Sequence, residues 1–239
     1  NTIVVWGCRP YEKGTAYGKI WEEITAATER KVNPARLIVI DPFAGVEALH
    51  ASVHLPIHPG TDLIIMLAWI NYIIENDLYD KEFLKYWSNA VFLIDKESGQ
   101  LVRASDIDAI GKEEDFVVWD DIAGAPLQWC SDENRYYRDG EVDAALRGEF
   151  TLTRADGTPM TCITVLERIA ERMSEYTMDM AAEITGVGAN RLTDAVQIYA
   201  TNGPAWIAWG VGGVDQHGYN STGSGIAKTM LRILTGNVD

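Results

Sequence analysis

The residues with the clearest chemical potential stand where apolar runs end. Arg9 lies in the Gly7–Pro10 turn after a short apolar run, Asp41 follows a second run, and Asp62 precedes a long apolar stretch. Backbone N–H groups between a strand and a helix attract phosphate, and an arginine adds positive charge. A carboxylate at a strand end commonly accepts hydrogen bonds from a ribose or a base edge. Such a set of donors and acceptors is suited to a nucleotide.

Each of these features also has a purely structural interpretation, which the sequence leaves open. The Gly7–Pro10 turn lacks the GxGxxG spacing of a dinucleotide fingerprint and is equally explained as a strand-to-helix connection. Asp41 before Pro42 is typical of a turn at a strand end. Asp62 is a good N-cap for the helix that follows it, and this interpretation is favoured for Asp62 taken alone.

Three histidines have the spacing of a metal-binding stripe, since His50, His54 and His58 are four residues apart. Pro56 and Pro59 lie within or just after this stretch and exclude a continuous helix. We therefore expect no metal site from this trio.

A glycine-dense loop follows the last apolar run, from Gly210 to Gly218. Glycine permits a ligand to approach the backbone closely, and Gln216 and His217 would be polar contacts at the rim of such a site. The alternative is a flexible loop without a ligand.

The elements that must position these residues alternate between strand and helix over the first ~80 residues. Strands are predicted at Thr2–Trp6, Leu37–Ile40 and Val53–Ile57, and the longest helix begins at Asp62. We predict an α/β fold, with a doubly wound, mostly parallel Rossmann-like sheet and helices on both faces. From about residue 90 to 160, short strand-like runs alternate with turn signals and predict an excursion of loops and hairpins.

Composition excludes several classes of protein. The net charge of −15 over 239 residues argues against non-specific nucleic-acid binding and against binding to an anionic membrane surface. Cys8, Cys130 and Cys162 form no CxxC pair, so neither a zinc ribbon nor a redox dithiol is indicated. No apolar run reaches the ~20 residues of a membrane span.

Taken in order, the segments resemble the dimethyl-sulfoxide-reductase family of molybdenum and tungsten enzymes. The similar motifs are W-G-x-N-P-x-E at Trp6–Glu12, I-D-P-R at Ile40–Phe43, L-x-I-x-P-G-T-D at Leu55–Asp62, Y-T and A-A-x-I-T-G-V at Tyr176–Val187, a glycine-rich strand end at Trp209–Gln216, and L-T-G-N at Leu234–Asn237. Each motif is weak alone, but their common order along nearly the whole chain is specific.

This resemblance implies one of the two guanine dinucleotides of a bis(molybdopterin guanine dinucleotide) cofactor. The Gly7–Pro10 turn would lie against a pyrophosphate, Asp41 and Asp62 would contact ribose and guanine, and the loop from Gly210 to Gln216 would lie nearer the pterin. The cofactor-binding residues that the resemblance implies are Gly7, Cys8, Arg9, Pro10, Glu12, Asp41, Pro42, His58, Gly60, Asp62, Gly210, Gly212 and Gln216.

Two positions depart from the family pattern. Arg9 stands where the family usually has asparagine, and Phe43 stands where it often has arginine. The metal ligand and iron–sulfur cysteines of the family lie before its W-G-x-N-P motif, so we expect no catalytic residue in this chain. Cys8 lies inside the strand-end motif and is not expected to be the metal ligand.

The chain is accordingly expected to be one cofactor-binding domain, residues 1–239, excised from a larger oxidoreductase. Residues 206–239 would be a return segment into a neighbouring domain, and residues 90–160 would line a substrate funnel or meet a partner subunit. The expected partners are an iron–sulfur electron-transfer subunit and the rest of the catalytic subunit, with no nucleic acid and no membrane insertion. The alternatives are an independent NAD- or flavin-binding Rossmann enzyme and a non-catalytic scaffold domain. The compartment stays undetermined.

Overall fold

The computed structural model describes residues 1–12, 15–210 and 220–238, with the side chains of residues 15–17 left aside. The chain divides into two compact units, one formed by Asn1–Asp80 and Met173–Asp239 and the other by Lys81–Arg172. In chain order the elements are β1 (Thr2–Trp6), α1 (Thr15–Thr28), β2 (Arg36–Ile40), α2 (Val46–His50), β3 (Val53–Leu55), α3 (Asp62–Glu75), α4 (Lys81–Trp87), β4 (Leu93–Asp95), α5 (Ala104–Ile107), β5 (Phe116–Asp120), β6 (Ala125–Cys130), β7 (Arg135–Tyr136), β8 (Glu149–Thr153), β9 (Pro159–Thr164), α6 (Val165–Met173), α7 (Met178–Thr185), α8 (Ala189–Thr201), β10 (Ala205–Trp209) and α9 (Ser221–Leu234).

The first unit is built on a four-stranded sheet in the order β10-β1-β2-β3. All of its pairings are parallel, and β1 is paired along its whole length with both neighbours. The strands are apolar because both faces of the sheet are covered. The predicted α/β class with a parallel, doubly wound sheet is confirmed.

Successive side chains of β1 pack into different layers, as the pleat of a strand requires. Val5 packs in a cluster with Trp21 and Ile24 of α1. Trp6 lies in the opposite layer, where its ring meets the edge of the Trp69 ring of α3 at a centroid distance of 5.6 Å. Helices therefore cover both faces of the sheet.

The strand order places β1 between two strands reached by crossovers in opposite directions. The chain proceeds from β1 to β2 and β3 on one side, and β10 returns on the other side. A crevice forms at such a switch point outside the carboxyl ends of the strands, and ligands of open α/β sheets bind there. The turns after β1 and β10 are therefore the structural centre of the candidate site.

The second unit contains two antiparallel three-stranded sheets, β4-β9-β8 and β5-β6-β7. This is the predicted excursion of hairpins. The strand β9 was missed, because Ala155–Pro159 indicated only a turn and the helix was expected to begin at Ile163. The helix α9 also begins at Ser221 rather than at the expected Gly225, since it includes two glycines in its first turns.

Candidate functional site

Backbone hydrogen bonds tie together the strand-end turns of the first unit. The Gly7 N–H donates to the carbonyl oxygen of Ile40 at 2.8 Å, and the Gly210 N–H donates to the carbonyl oxygen of Trp6 at 3.0 Å. The Asp41 N–H donates to the carbonyl oxygen of Leu55 at 3.3 Å. These bonds bring the ends of all four strands to one edge, so the motifs at Trp6–Glu12, Asp41 and Gly210 are neighbours.

Gly210 has no room for a side chain. A Cβ atom built there would lie 2.0 Å from the carbonyl oxygen of Gly7 and 2.9 Å from the Cβ of Cys8. Gly7 itself has a φ of +59°, in the left-handed region that favours glycine. The two glycines therefore permit a close crossing of the turns after β1 and β10.

Arg9 is held by neighbours from two strand ends. Its Nη1 lies 3.1 Å from Glu12 Oε2, and its Nη2 lies 3.8 Å from Asp41 Oδ1. Its guanidinium carbon is 4.1 Å from the centroid of the Phe43 ring. The two positions that depart from the family pattern therefore contact each other, because the arginine supplied by the β1 turn packs on the aromatic ring after β2.

Asp41 combines the turn role and the exposed-edge position that the sequence left open. Its Oδ1 accepts the Phe43 N–H at 2.8 Å, across Pro42, and this is the expected turn at a strand end. The side chain is mostly buried, and the Arg9 guanidinium lies beside the same oxygen. The His54 Nε2 and the Asp41 carbonyl oxygen are 3.0 Å apart.

Asp62 is not the N-cap of α3, contrary to the favoured structural interpretation. Thr61 is the cap residue and makes no side-chain capping bond, while Asp62 is the first residue of the helix. The Asp62 side chain is 6% exposed, and its Oδ1 accepts the indole N–H of Trp6 at 2.9 Å. The carboxylate thus points toward the sheet edge rather than capping its own helix.

The environment of Asp62 opposes its ionisation. Burial raises the pKa of this carboxyl group above its ordinary value, and the negative charge of Asp41 acts in the same direction. The hydrogen bond from Trp6 lowers the pKa and offsets only part of the increase. A buried carboxylate in this condition is stabilised when further donors reach it.

The end of α7 fixes His58. The backbone N–H of His58 donates to Thr185 O at 2.9 Å, and its Nδ1 lies 3.2 Å from the Ile184 carbonyl oxygen. A carbonyl oxygen can only accept, so Nδ1 carries the proton. Gly186 follows with a φ of +75°, and a Cβ built on it would lie 2.7 Å from the His58 ring.

We expect Gly186→Ala to lower the free energy of unfolding by about 1–3 kcal/mol, because alanine is strained at this φ and its methyl group collides with His58. Chemical denaturation of the chain measures the loss. Gly188→Ala is the matched control, since a Cβ there meets nothing within 4 Å. Equal stability of the two variants would contradict the proposed steric role of Gly186.

The remaining predicted residues differ in surroundings. Cys8 is buried with its Sγ 3.7 Å from the Ala208 carbonyl oxygen, and it is a packing residue of the core. Gly60 has a φ of +84° and open space around the position of a Cβ. Gly212 and Gln216 lie outside the described residues. The trio His50, His54 and His58 forms no helical stripe, and within residues 1–12, 15–210 and 220–238 no group of acidic, histidine and cysteine side chains could hold a metal ion.

Sequence patterns missed several residues near this edge. Trp6 was assigned only as the end of a strand, although its indole contacts Asp62. Glu47, 2% exposed, accepts the Tyr11 N–H at 2.9 Å and fixes the turn after β1 to α2. Lys228 is buried with its Nζ 2.9 Å from the centroid of the Trp209 ring. Each contact joins residues far apart in sequence, so local patterns carried no signal for it.

The second unit contains a separate cavity of about 420 Å³ with a largely aromatic lining. Phe92 stacks on Phe116 at 4.5 Å, and Trp129 meets Tyr136 edge-on at 4.8 Å. Trp87 also lines it and is 79% exposed. Its residues come from several elements between Lys85 and Tyr136, and this explains why no motif indicated it.

The chain is similar to several molybdenum-enzyme subunits over most of its length. A Halobacterium salinarum protein assigned by name as the catalytic subunit of a dimethyl sulfoxide reductase is 32% identical over 89% of this chain and 24% of its own length. The alpha subunit of the dimethylsulfide dehydrogenase of Rhodovulum sulfidophilum is 28% identical over 87% of this chain and 22% of its own length. The chain belongs to the dimethyl-sulfoxide-reductase family.

Further comparisons agree with this family. The alpha subunit of the perchlorate reductase of Dechloromonas aromatica is 27% identical over 98% of this chain and 27% of its own length. The solved structure of acetylene hydratase from Pelobacter acetylenicus superposes with a TM-score of 0.60 at 24% identity, over 99% of this chain and 21% of that one, and supports the fold. No protein-family model matches the chain. The chain thus spans about a quarter of the length of these curated relatives.

Proposed function

We propose that this chain is part of the catalytic subunit of a molybdenum or tungsten oxidoreductase, and that the carboxyl edge of its parallel sheet holds one molybdopterin guanine dinucleotide. The observation that carries this proposal is the buried Asp62 carboxylate at that edge, with its raised pKa and with Asp41 as a second carboxylate nearby. Family membership supplies the identity of the nucleotide.

The residues at this edge have the chemistry that such a group requires. Carboxylates accept hydrogen bonds, and the Watson–Crick edge of guanine and the ribose hydroxyls donate them. Asp41 and Asp62 would therefore hold guanine and ribose. Arg9 would supply a positive charge to the pyrophosphate, and its contacts with Glu12, Asp41 and Phe43 keep it at the edge. The open surface at Gly60 supports a close approach of the ligand.

The cofactor, when bound, supplies oxygen-atom or two-electron transfer at its metal. The chain itself contributes binding and orientation. Asp62 and Asp41 would fix the guanine end, while the turns at Gly7 and Gly210 would bring the backbone against the dinucleotide. Under this proposal the metal ligand and an iron–sulfur cluster belong to other segments of the parent subunit.

The proposed partners are an electron-transfer subunit with iron–sulfur clusters and the rest of the catalytic subunit. This proposal is supported by relatives named as alpha subunits, such as those of perchlorate reductase and chlorate reductase. Among the described residues, no helix is long and apolar enough to cross a membrane.

Metal and nucleotide content of the full-length parent protein test the proposal. Elemental analysis and chromatography after acid release are expected to give about one molybdenum or tungsten atom and about two guanine nucleotides per chain. Absence of both would overturn the proposal. Adenine or flavin nucleotide in their place would favour an independent nucleotide-binding enzyme.

A further inference from the structure

Trp6 stands in an unusually constrained position next to the proposed guanine site. It is the last residue of β1, which is paired on both sides, and its side chain is fully buried. Its ring packs edge-on against Trp69, which in turn stacks on Tyr199 at 5.7 Å. The indole therefore has a single accessible orientation, and its N–H is fixed in space.

That N–H donates to Asp62 Oδ1 at 2.9 Å in a buried setting. A hydrogen bond to a charged acceptor is about twice as strong as a neutral one, and burial strengthens it further. The bond occupies one acceptor site of the carboxylate, which has about four. It thus fixes the plane of the carboxylate and leaves acceptor capacity for a ligand.

We propose that Trp6 is the positioning residue of the guanine site, holding the Asp62 carboxylate through its indole N–H in the orientation that accepts the nucleotide. This inference rests on the proposed function. It assigns to β1 a role beyond the glycine turn that follows it. The strand both shapes the backbone around the dinucleotide and orients the side chain that would recognise its base.

The test is Trp6→Phe in the full-length protein, with Trp69→Phe as the matched control. Trp69 is equally buried in the same aromatic stack, and in the described part of the chain its indole nitrogen has no hydrogen-bond partner. We expect guanine nucleotide to be lost on dialysis about tenfold faster from Trp6→Phe than from the wild-type protein, and less than about twofold faster from Trp69→Phe. Equal losses from both variants would overturn the inference.

An Asp62→Ala background separates this inference from the proposed function. In that background, Trp6→Phe is expected to change the rate of loss by less than about twofold, because the acceptor of the indole is already gone. If Asp62→Ala retains guanine nucleotide like the wild-type protein, the assignment of the guanine site itself is wrong. If Asp62→Ala loses it rapidly while Trp6→Phe does not, only the positioning role is wrong.

The pH dependence of nucleotide loss gives a readout that a packing defect does not move. The groups that shift the pKa of Asp62 are the Trp6 indole, which lowers it, and the Asp41 carboxylate, which raises it. Removing the indole donor therefore moves acid-promoted loss to higher pH. An unchanged pH profile in Trp6→Phe would count against the proposed role.

Discussion

Gly210→Ala is expected to destabilise the chain by about 3 kcal/mol or more and to abolish retention of guanine nucleotide by the parent protein. The added methyl carbon would lie 2.0 Å from the Gly7 carbonyl oxygen, far inside van der Waals contact. Neither partner can yield easily, because the obstacle is backbone and β1 is paired with β10 over five residue pairs. The strand ends must separate, and the turns that would hold the cofactor separate with them.

Chemical denaturation of the chain measures the loss of stability, and Gly225→Ala is the matched control. Gly225 lies within α9, and a Cβ there meets nothing within 4 Å. Alanine is expected to stabilise this helix by about 0.5–1 kcal/mol, so the same substitution has opposite effects at the two positions. A Gly210→Ala chain as stable as the wild type would contradict the close crossing of the two turns.

The central sheet was predictable from sequence because its strands are short, wholly apolar and bounded by glycine or proline. β1 and β10 begin and end where the apolar runs predicted. Both faces of these strands are buried, so hydrophobicity alone identifies them. The strand β8 was missed for the opposite reason, since only Leu152 of its five residues is buried and its pattern is that of a surface hairpin.

The candidate site was predictable only as a set of positions at strand ends. Topology dictates that the carboxyl ends of parallel strands share one edge, so Asp41 and the Gly7 turn were expected to be neighbours. The hydrogen bond from Trp6 to Asp62 joins residues 56 positions apart, and no local pattern encodes it. For Asp62, local capping propensity was a misleading guide, because the tertiary contact determines where the side chain points.

Arg9 and Phe43 show how two departures from a family pattern are related in space. Considered separately, each removes a contact that the family usually makes. In the structure the guanidinium of Arg9 lies on the Phe43 ring and beside Asp41. A cation therefore remains at the end of β2, although it is supplied by the turn after β1.

Asp62→Asn is expected to have opposite effects on stability and on binding. The fold raises the pKa of Asp62, so its environment favours the uncharged side chain. Asparagine keeps an oxygen that can accept the Trp6 indole N–H and carries no charge to be desolvated. The cofactor-free chain should therefore unfold at higher denaturant concentration than the wild type, while the full-length variant should lose guanine nucleotide much faster, since its side chain no longer offers two acceptor oxygens.

The pH dependence of stability gives this prediction a definite sign. A carboxyl group with a raised pKa keeps its proton in the folded chain at a pH where the unfolded chain has released it, so its contribution to stability falls as the pH rises through that window. The stability advantage of Asp62→Asn should thus be larger at about pH 7 than at about pH 4. Asp179→Asn is the control, because Asp179 is an exposed acid in the first turn of α7. An advantage for Asp62→Asn that did not grow with pH, or full retention of nucleotide by it, would contradict the view that this edge of the sheet maintains a costly buried charge for the sake of a ligand.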